Sequence, residues 1–377
     1  MSRYCNLFAT RTSVPSAPAL ALPREVAVDP LGRGRRRRRN TVIVAGLAAM
    51  LVVSTVLGIG VGPIVISPAE VLEVLRARLV SVAPDGVSAT SEVIVWDVRV
   101  PRVLMAIAAG AGLAVCGTAL QAMVRNMLAD PYLLGINSGA SSGAAATILF
   151  GVTLGVGEHA LSASAFLGAL AASLLVFVVA RAAGRVTSVR LLLAGVAVGY
   201  ALSALTSFLI FASGSAEGAR SVMFWLLGSL ALAQWGAPLL ALCLVVALTA
   251  LVLTLWGRRL DALTIGDETA LVLGVSPTRF RTQVLVVVSL CIGFVVAASG
   301  SIGFVGLVVP HLARRLVGAA HAWSVPTAAL LGATFLVWAD LLSRMLLQPR
   351  ELPIGIVTAM VGAPFLLYLI RRLHSAA

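Results

Sequence analysis

The sequence predicts an all-α, polytopic membrane protein with about ten transmembrane helices and both termini in the cytoplasm. Of its 377 residues, 59% are hydrophobic and only 11% are charged, whereas soluble domains carry about a quarter charged residues. Apolar stretches of about 20 residues recur along the chain, each long enough to cross a bilayer as a helix. The net charge of +13 is explained by basic cytoplasmic loops, so no nucleic-acid partner is expected.

The residue inventory argues against catalytic chemistry. All 28 basic residues are arginines, so the chain has no Walker A loop, whose lysine reaches the nucleotide phosphates. If ATP drives this protein, a partner subunit hydrolyses it. The four cysteines form no CxxC pair and the four histidines form no HExxH motif, so we expect neither a metal site nor a cofactor. No catalytic residue is predicted, and the chain is not expected to be an enzyme.

The chain begins with a segment, residues 1–40, that has no sustained apolar run and ends in RGRRRRRN. We interpret it as a disordered basic cytoplasmic tail whose arginines set the membrane orientation. Nucleic-acid binding by the arginine run is the alternative. A secretory signal would also place basic residues before apolar ones, but the apolar stretch here is too long and lacks an evident cleavage site. Residues 373–377 form a short C-terminal tail.

Between the two tails we place one membrane domain, residues 41–372, with ten spans. The spans lie near 41–62, 100–124, 133–152, 161–182, 190–212, 236–256, 283–300, 303–317, 324–346 and 354–370. The amphipathic stretch 66–79 is expected outside the bilayer, with Ser67 capping a helix that starts at Pro68. The stretch 221–235 has tryptophans near both ends, as an interfacial helix would, and an eleventh span is its alternative.

Counting arginines decides between ten spans and eleven. With ten spans and a cytoplasmic N-terminus, 21 of the 28 arginines lie on the cytoplasmic side, as the positive-inside rule requires. An eleventh span at 221–235 would move Arg258 through Arg281 outward and weaken this bias. Ten spans are therefore predicted.

Three arginines on the outer side are exceptions to that rule. Arg99 and Arg102 flank Pro101 at the outer mouth of the second span, and Arg344 closes the ninth span on the same side. Guanidinium groups suit bidentate pairing with carboxylates of a soluble partner, so we predict a docking patch. Snorkelling toward lipid headgroups is the alternative.

The second span ends in QAMVRNMLADPYLLG (121–135), where Pro131 stops the helix. Freed backbone groups at membrane depth are tolerated only inside protein or beside water, and a simple cytoplasmic turn is the alternative. Three glycines then follow at intervals of four residues, a spacing that allows close helix packing in lipid. They are Gly135, Gly139 and Gly143.

The cytoplasmic loop 258–282 contains a predicted contact for a cytoplasmic partner. Asp267 and Glu268 begin a short helix and Gly274 ends it, while Ser276 and Pro277 begin a second short helix. The apolar side chains between them would be hard to explain in a solvated loop, which is the alternative.

Two ionisable residues, Asp340 and His311, fall within expected spans. An intramembrane carboxylate is a functional candidate by default. Because no partner for Asp340 is evident in the sequence, we interpret it as a structural hydrogen-bonding group, with proton relay as the alternative. Prolines inside the last spans, such as Pro310 and Pro364, predict the broken or kinked helices that line transport pathways.

Several stretches taken together resemble a known family. They are VRVPR (98–102), NMLADPYLLGINSGAS (126–141), RLLLAGVAVG (190–199), GDETALVLGV (266–275), SGSIGFVGLVVPHLARRLVG (299–318) and ELPIGIVTAMVGAPFLLYL (351–369). They resemble the permease subunits of bacterial ABC importers for iron–siderophore complexes, haem and vitamin B12, the type II importers. The resemblance covers about residues 41–372.

The resemblance implies a transport subunit in the cytoplasmic membrane that pairs with a second permease copy or a sister permease. It also implies two cytoplasmic ATPase subunits and one external substrate-binding protein. Arg99 and Arg102 match family arginines that receive glutamates of the binding protein. The implied cytoplasmic gate consists of Asn126, Leu128, Thr187 and Ser188, and the implied ATPase-coupling residues are Gly266, Asp267, Glu268, Ala270, Leu273 and Gly274.

One position departs from the family pattern. Met127 stands where the family usually has proline, so the turn at the gate is expected to be less rigid.

The expected cargo is a ferric siderophore, with haem or vitamin B12 as alternatives within the family. A proton-coupled secondary transporter that uses Asp340 and His311 is the alternative outside it.

Overall fold

The computed structural model describes residues 33–80, 86–152, 155–182, 184 and 186–374. Most of the expected basic tail, residues 1–32, and the C-terminal residues 375–377 lie outside the described residues. Within the described ranges all regular structure is helical and no strand occurs. The predicted all-α class is therefore confirmed.

Fifteen α-helices lie in this part of the chain. In order they are α1 (Arg33–Gly60), α2 (Pro68–Val80), α3 (Ala89–Val93), α4 (Val100–Val124), α5 (Ile136–Phe150), α6 (Ala160–Ala182), α7 (Ser188–Ser213), α8 (Ala216–Leu226), α9 (Ala237–Leu255), α10 (Gly257–Ile265), α11 (Asp267–Val272), α12 (Pro277–Ser299), α13 (Val305–Val317), α14 (His321–Met345) and α15 (Ile354–His374). A π-helical turn, Ile94–Arg99, leads into α4, and short 3-10 helices occupy Pro131–Leu134 and Gly157–His159.

Seven helical segments of the described chain are long and apolar enough to cross a membrane. They are 34–60, 89–124, 160–182, 188–213, 237–255, 277–299 and 321–345. The other three expected spans coincide with α5, α13 and α15, and in α15 the stretch Ile354–Tyr368 is a shorter apolar helix. Each expected span thus coincides with a helix, while the number of crossings stays a prediction.

The two segments expected outside the bilayer differ in outcome. In α2 the backbone N–H of Glu70 donates to the Ser67 hydroxyl at 3.2 Å, as the predicted cap requires. The predicted helix at 221–235 is only partly correct, because α8 ends at Leu226. The carbonyls of Leu227 and Gly228 accept hydrogen bonds from the start of α15 instead of continuing the helix. These hydrogen bonds join residues that are far apart in the chain, so the local sequence does not predict them.

The prediction of a second short helix after α11 is wrong. Pro277 begins α12, which continues without a break to Ser299. Proline suits the first helical turn because its fixed φ is already helical. Buried residues at three- and four-residue intervals then keep one face of α12 packed along its whole length. The short helix α11 therefore precedes one long helix.

Helix α4 is the centre of the fold. In its segment, 83% of the most apolar window is buried, against 17% for α1. It packs against α9, α12, α13 and α14. A Cβ atom on Gly110 would overlap the carbonyl of Gly332, and one on Gly117 would overlap that of Gly306. Helix backbones touch at these points, as is typical of small residues at helix interfaces in lipid.

Of the three glycines predicted to pack against another helix, two lie in a helix contact and one lies in a turn. A Cβ atom on Gly139 would overlap the carbonyl of Gly168, and one on Gly143 would overlap the carbonyl of Ser164. Both neighbours lie on α6, so these two glycines form the close α5–α6 contact. Gly135 instead ends the 3-10 helix before α5, with a φ of +70°.

Candidate functional site

Two clusters of charged and polar groups lie at opposite ends of α4. We call the first the Arg102 network; its members are Arg99, Arg102, Asp340, Arg344 and Glu351. We call the second the Arg281 network; its members are Met123, Ser188, Asp267 and Arg281. A helix of this length separates its ends by about 35 Å, so the two networks cannot touch directly.

The Arg102 network is organised around Asp340 on α14. Arg102 Nε lies 2.9 Å from Asp340 Oδ1, and Arg344 Nε lies 3.1 Å from Asp340 Oδ2. The outer nitrogens of Arg102 pair with both oxygens of Glu351, at 3.0 and 2.9 Å. These contacts agree with the interpretation of Asp340 as a structural hydrogen-bonding group. Arg344 lies one turn further along the same helix, a spacing that the local sequence shows, whereas Arg102 is 238 residues away.

Arg99 and Arg344 bind the carboxyl end of α1. Arg99 donates to the carbonyls of Ile59 and Gly60 at 2.8 Å each, and also to the carbonyl of Ile64. Arg344 donates to the carbonyl of Gly58 at 2.9 Å. The last carbonyls of a helix have no partner within the helix, and these guanidinium groups supply one.

All three predicted docking arginines are buried within the single chain. Their exposed fractions are 5% for Arg99, 7% for Arg102 and 4% for Arg344. The exposed member of the network is Glu351, whose side chain is 43% accessible. The structure thus brings the three arginines together, as a shared docking role requires, but their guanidinium groups are already engaged. Docking stays a prediction.

The Arg281 network joins three segments at the other end of α4. Arg281 pairs with both oxygens of Asp267, at 2.7 and 2.9 Å. It also donates to the Ser188 hydroxyl at 3.0 Å and to the carbonyl of Met123 at 3.3 Å. Arg125 adds a weaker contact, 3.6 Å from Asp267. One buried side chain therefore contacts the end of α4, the start of α7 and the start of α11.

The predicted gate residues lie next to this network. Asn126 and Leu128 are exposed in the loop after α4, where the Asn126 side chain accepts a bond from the backbone of Leu128 at 2.9 Å. Thr187 caps α7, and Ser188 donates to the carbonyl of Met123 at 3.1 Å. The structure therefore places all four residues around the junction of α4 and α7. Their role as a gate stays a prediction.

The predicted coupling residues form α11 and its two glycine ends. Gly266 precedes the helix with a φ of +156°, and Gly274 follows it with a φ of +77°. Ala270 is fully buried, whereas Glu268 and Leu273 are exposed. The Arg281 guanidinium, which donates hydrogen bonds to Asp267, holds the pKa of that carboxyl below its ordinary value. Asp267 is therefore ionised at neutral pH.

The sequence analysis counted Arg281 only as a cytoplasmic charge and missed its central position. A signal was available, because Arg281 falls on the same helical face as Phe280, Val284, Leu285 and Val288, all of which are buried. An arginine on an apolar face predicts a buried ion pair. Within the described residues no group of three His, Cys, Asp or Glu side chains could hold a metal ion.

Comparison with known proteins identifies the family. The family model of the FecCD transport family matches residues 50–372. The ABC transporter permease YvrB of Bacillus subtilis is 40% identical over 89% of this chain and 95% of its own length. The hemin transport permease HmuU of Yersinia pestis is 41% identical over 74% of this chain and 83% of its own length. Other relatives are named for import of vitamin B12, molybdate and ferric citrate.

A solved structure agrees with the family match. A metal-chelate type ABC transporter in an inward-facing conformation has a TM-score of 0.77 and 33% sequence identity, over 88% of this chain and 99% of its own. The chain therefore belongs to the FecCD transport family, the multi-pass inner-membrane permeases of type II ABC importers.

Proposed function

We propose that this chain is the permease through which an ATP-driven importer moves a ferric siderophore, crossing the membrane ten times with both termini in the cytoplasm. The observation that carries the proposal is α11, a short helix with an exposed apolar surface that lies between the short helix α10 and the long helix α12. In the ten-span arrangement it faces the cytoplasm, where ATP is available. The hydrolysing subunit is a separate protein, since this chain has no Walker A lysine.

The apolar surface of α11 supports contact with an ATPase subunit. Leu271, Val272 and Leu273 are 55%, 88% and 62% exposed. Three adjacent apolar side chains in water are unfavourable unless a partner covers them. Glycines with positive φ lie at both ends of the helix, and Asp267 ties its start to the buried Arg281.

The Arg102 network supports docking of the binding protein through exchange of one carboxylate. Glu351 occupies the outer nitrogens of Arg102 and is itself accessible. A glutamate of the binding protein that replaces Glu351 would keep the number of ion pairs constant. Arg99 and Arg344, which are bonded to the end of α1, would hold Arg102 and its surroundings in place during this exchange.

A second permease copy or a sister permease is supported by the contrast between α7 and α9. The exposed face of α9 is a stripe of leucines, as expected toward lipid. The exposed face of α7 instead mixes aromatic residues with hydroxyls, including Tyr200, Ser203, Ser207 and Phe211. Such a mixed face suits a pathway or a protein contact better than lipid. We therefore place α7 at the pathway between two permeases, with the gate residues at its start.

The identity of the cargo is the most specific part of the proposal. Relatives are named for hemin and ferric citrate import, and the solved relative is of the metal-chelate type. These names support an iron chelate, while the vitamin B12 and molybdate importers show that the family carries other cargoes. Haem and vitamin B12 are the alternatives that the experiment below separates.

The proton-coupled alternative loses its main support. It requires Asp340 to bind and release protons, yet this carboxylate lies between the guanidinium groups of Arg102 and Arg344. Its two oxygens lie 2.9 and 3.1 Å from these guanidinium groups, so both are occupied by ion pairs within the chain. Asp340 is better explained as the structural centre of the Arg102 network.

Uptake in a deletion strain tests the proposal. Radio-iron siderophores, radio-iron haem and labelled cobalamin are offered separately to cells that lack the chain. We expect selective loss of one siderophore, restored by the wild-type chain but not by an Arg99→Glu/Arg102→Glu variant. The variant must reach the membrane at wild-type level, since burying two new carboxylates there also threatens folding. Loss of cobalamin uptake alone would contradict the cargo, and full activity of the double variant would contradict the docking role.

A further inference from the structure

Arg281 is the largest fully buried side chain in the described part of the protein, with 1% of its surface exposed. A buried guanidinium group carries a large desolvation cost unless a carboxylate compensates its charge. Among the described residues, Asp267 is the carboxylate paired with it, and Asp267 lies on α11, which is not a spanning helix. The charge balance of this part of the helix bundle therefore depends on where α11 lies.

The same guanidinium group contacts the ends of two long helices. Its Nε donates to the carbonyl of Met123 in the last turn of α4, and a terminal nitrogen donates to the Ser188 hydroxyl in the first turn of α7. Ser188 in turn donates to the Met123 carbonyl. Helices α4, α7 and α11 thus share one donor group, which belongs to α12.

We propose that the Arg281–Asp267 ion pair transmits movement of α11 to the ends of α4 and α7 beside the gate residues. The inference rests on the proposed function, in which the ATPase moves α11. A bidentate pair fixes both distance and orientation, which a single hydrogen bond does not. If α11 moved alone, Arg281 would remain buried and charged without a counter-ion. Joint movement of α11, α12 and the two helix ends keeps the pair intact, so Arg281 acts as a positioning residue.

The experiment uses the whole complex, with ATPase subunits and binding protein, reconstituted in liposomes. It compares Asp267→Asn with the conservative variant Asp267→Glu. Three quantities are measured: the stimulation of ATP hydrolysis by the binding protein, the amount of ATPase bound to the permease, and the thermal unfolding temperature in detergent. We expect Asp267→Asn to keep the ATPase but to lose stimulation by about 5- to 150-fold, the usual range of coupling between sites. Asp267→Glu should retain stimulation.

Two matched controls change charges outside the Arg281 network. Glu92→Gln removes the partner of Arg78, 2.8 Å away, near the opposite end of α4. Arg181→Gln removes an exposed arginine from the end of α6. Within the described residues no hydrogen bond or ion pair joins Glu92 or Arg181 to Arg281 or α11, so both variants should keep full stimulation. Equal loss in the controls would overturn the assignment to this ion pair.

The remaining outcomes are decisive as well. Unchanged stimulation in Asp267→Asn overturns the proposal, and loss of bound ATPase in that variant assigns Asp267 to the ATPase contact itself and also overturns it. If Asp267→Asn does not fold, the double variant Asp267→Asn/Arg281→Gln removes both charges. A folded double variant without stimulation supports transmission, whereas wild-type stimulation, or failure of both variants to fold, overturns it. ATPase binding by a chain that lacks residues 267–274 would instead contradict the proposed function.

Discussion

Arg102 and Asp340 are 238 residues apart in the chain, yet their side chains meet at 2.9 Å with almost no exposure to solvent. The pair joins the start of α4 to the end of α14. The same two helices also touch at Gly110 and Gly332, so one interface combines a close backbone contact with a buried ion pair. The stability of this interface leads to two predictions.

Asp340→Asn should destabilise the protein strongly. The variant removes the negative charge that compensates the buried guanidinium groups of Arg102 and Arg344. Removing one partner of a buried ion pair costs about 3–5 kcal/mol. Glu351→Gln is the matched control, because its accessible side chain should cost at most about 1 kcal/mol. Thermal unfolding in detergent compares the two variants. Equal stability of the two would contradict the central position of Asp340.

Gly332→Ala should also destabilise the protein, because its new methyl group would overlap the carbonyl of Gly110. Overpacking of this kind costs about 1–3 kcal/mol. Gly46→Ala is the control: it lies inside α1 with nothing within 4 Å of the new Cβ, and should stabilise by about 0.5–1 kcal/mol. A neutral Gly332→Ala in the same unfolding assay would show that α4 and α14 are not in close contact.

The Arg281–Asp267 pair predicts a specific pH dependence. Hydrogen bonds from Arg281 come first among the causes that lower the pKa of Asp267 below its ordinary value of 3.8. A group whose pKa is lower in the folded state stabilises fully above the unfolded-state pKa, and this contribution is lost as the pH falls through the folded-state pKa. The stability difference between wild type and Asp267→Asn should therefore stay constant from about pH 5 to about pH 8 and shrink below about pH 4. A difference that shrinks near neutral pH would contradict this assignment.

Topology labelling tests the ten crossings. Single cysteines are placed in a cysteine-free background at Arg78, Arg181, Arg279 and Arg350, and each is labelled with a membrane-impermeant thiol reagent in intact cells. With ten spans, positions 78 and 350 should be labelled from outside, whereas 181 and 279 should be labelled only after the membrane is opened. External labelling at 279 would mean that an additional crossing precedes it.

The helices were largely predictable from the sequence because the apolar stretches that favour lipid are contiguous. The end of α8 was not, because the carbonyl of Leu227 bonds to the backbone of Gly355, and such pairing depends on the tertiary fold. The long reach of α12 was missed for a related reason. Its first two turns were assigned to a separate short helix in the cytoplasmic loop, although Pro277, Phe280 and Arg281 are buried there.

The candidate site divides in the same way. The residues of α11 were found from local signals, an acidic start, an apolar stretch and a terminal glycine. The pairing of Asp340 with Arg102 depends on a contact between distant helices, so spacing along the chain did not reveal it, whereas the other partner, Arg344, lies at the i,i+4 spacing and could have been found. The three arginines predicted to dock a partner do lie together at one end of α4, but their burial and the pairing of Arg102 with Glu351 required the structure.

Transport in proteoliposomes tests the central claim most directly. The chain is reconstituted alone and together with its ATPase and binding protein, and uptake of a radio-iron siderophore is measured with ATP, without ATP, and under a proton gradient. We expect accumulation only in the complete complex with ATP on the side that α11 faces, and a chain lacking residues 267–274 should show none. Accumulation by the chain alone under a proton gradient would contradict the account.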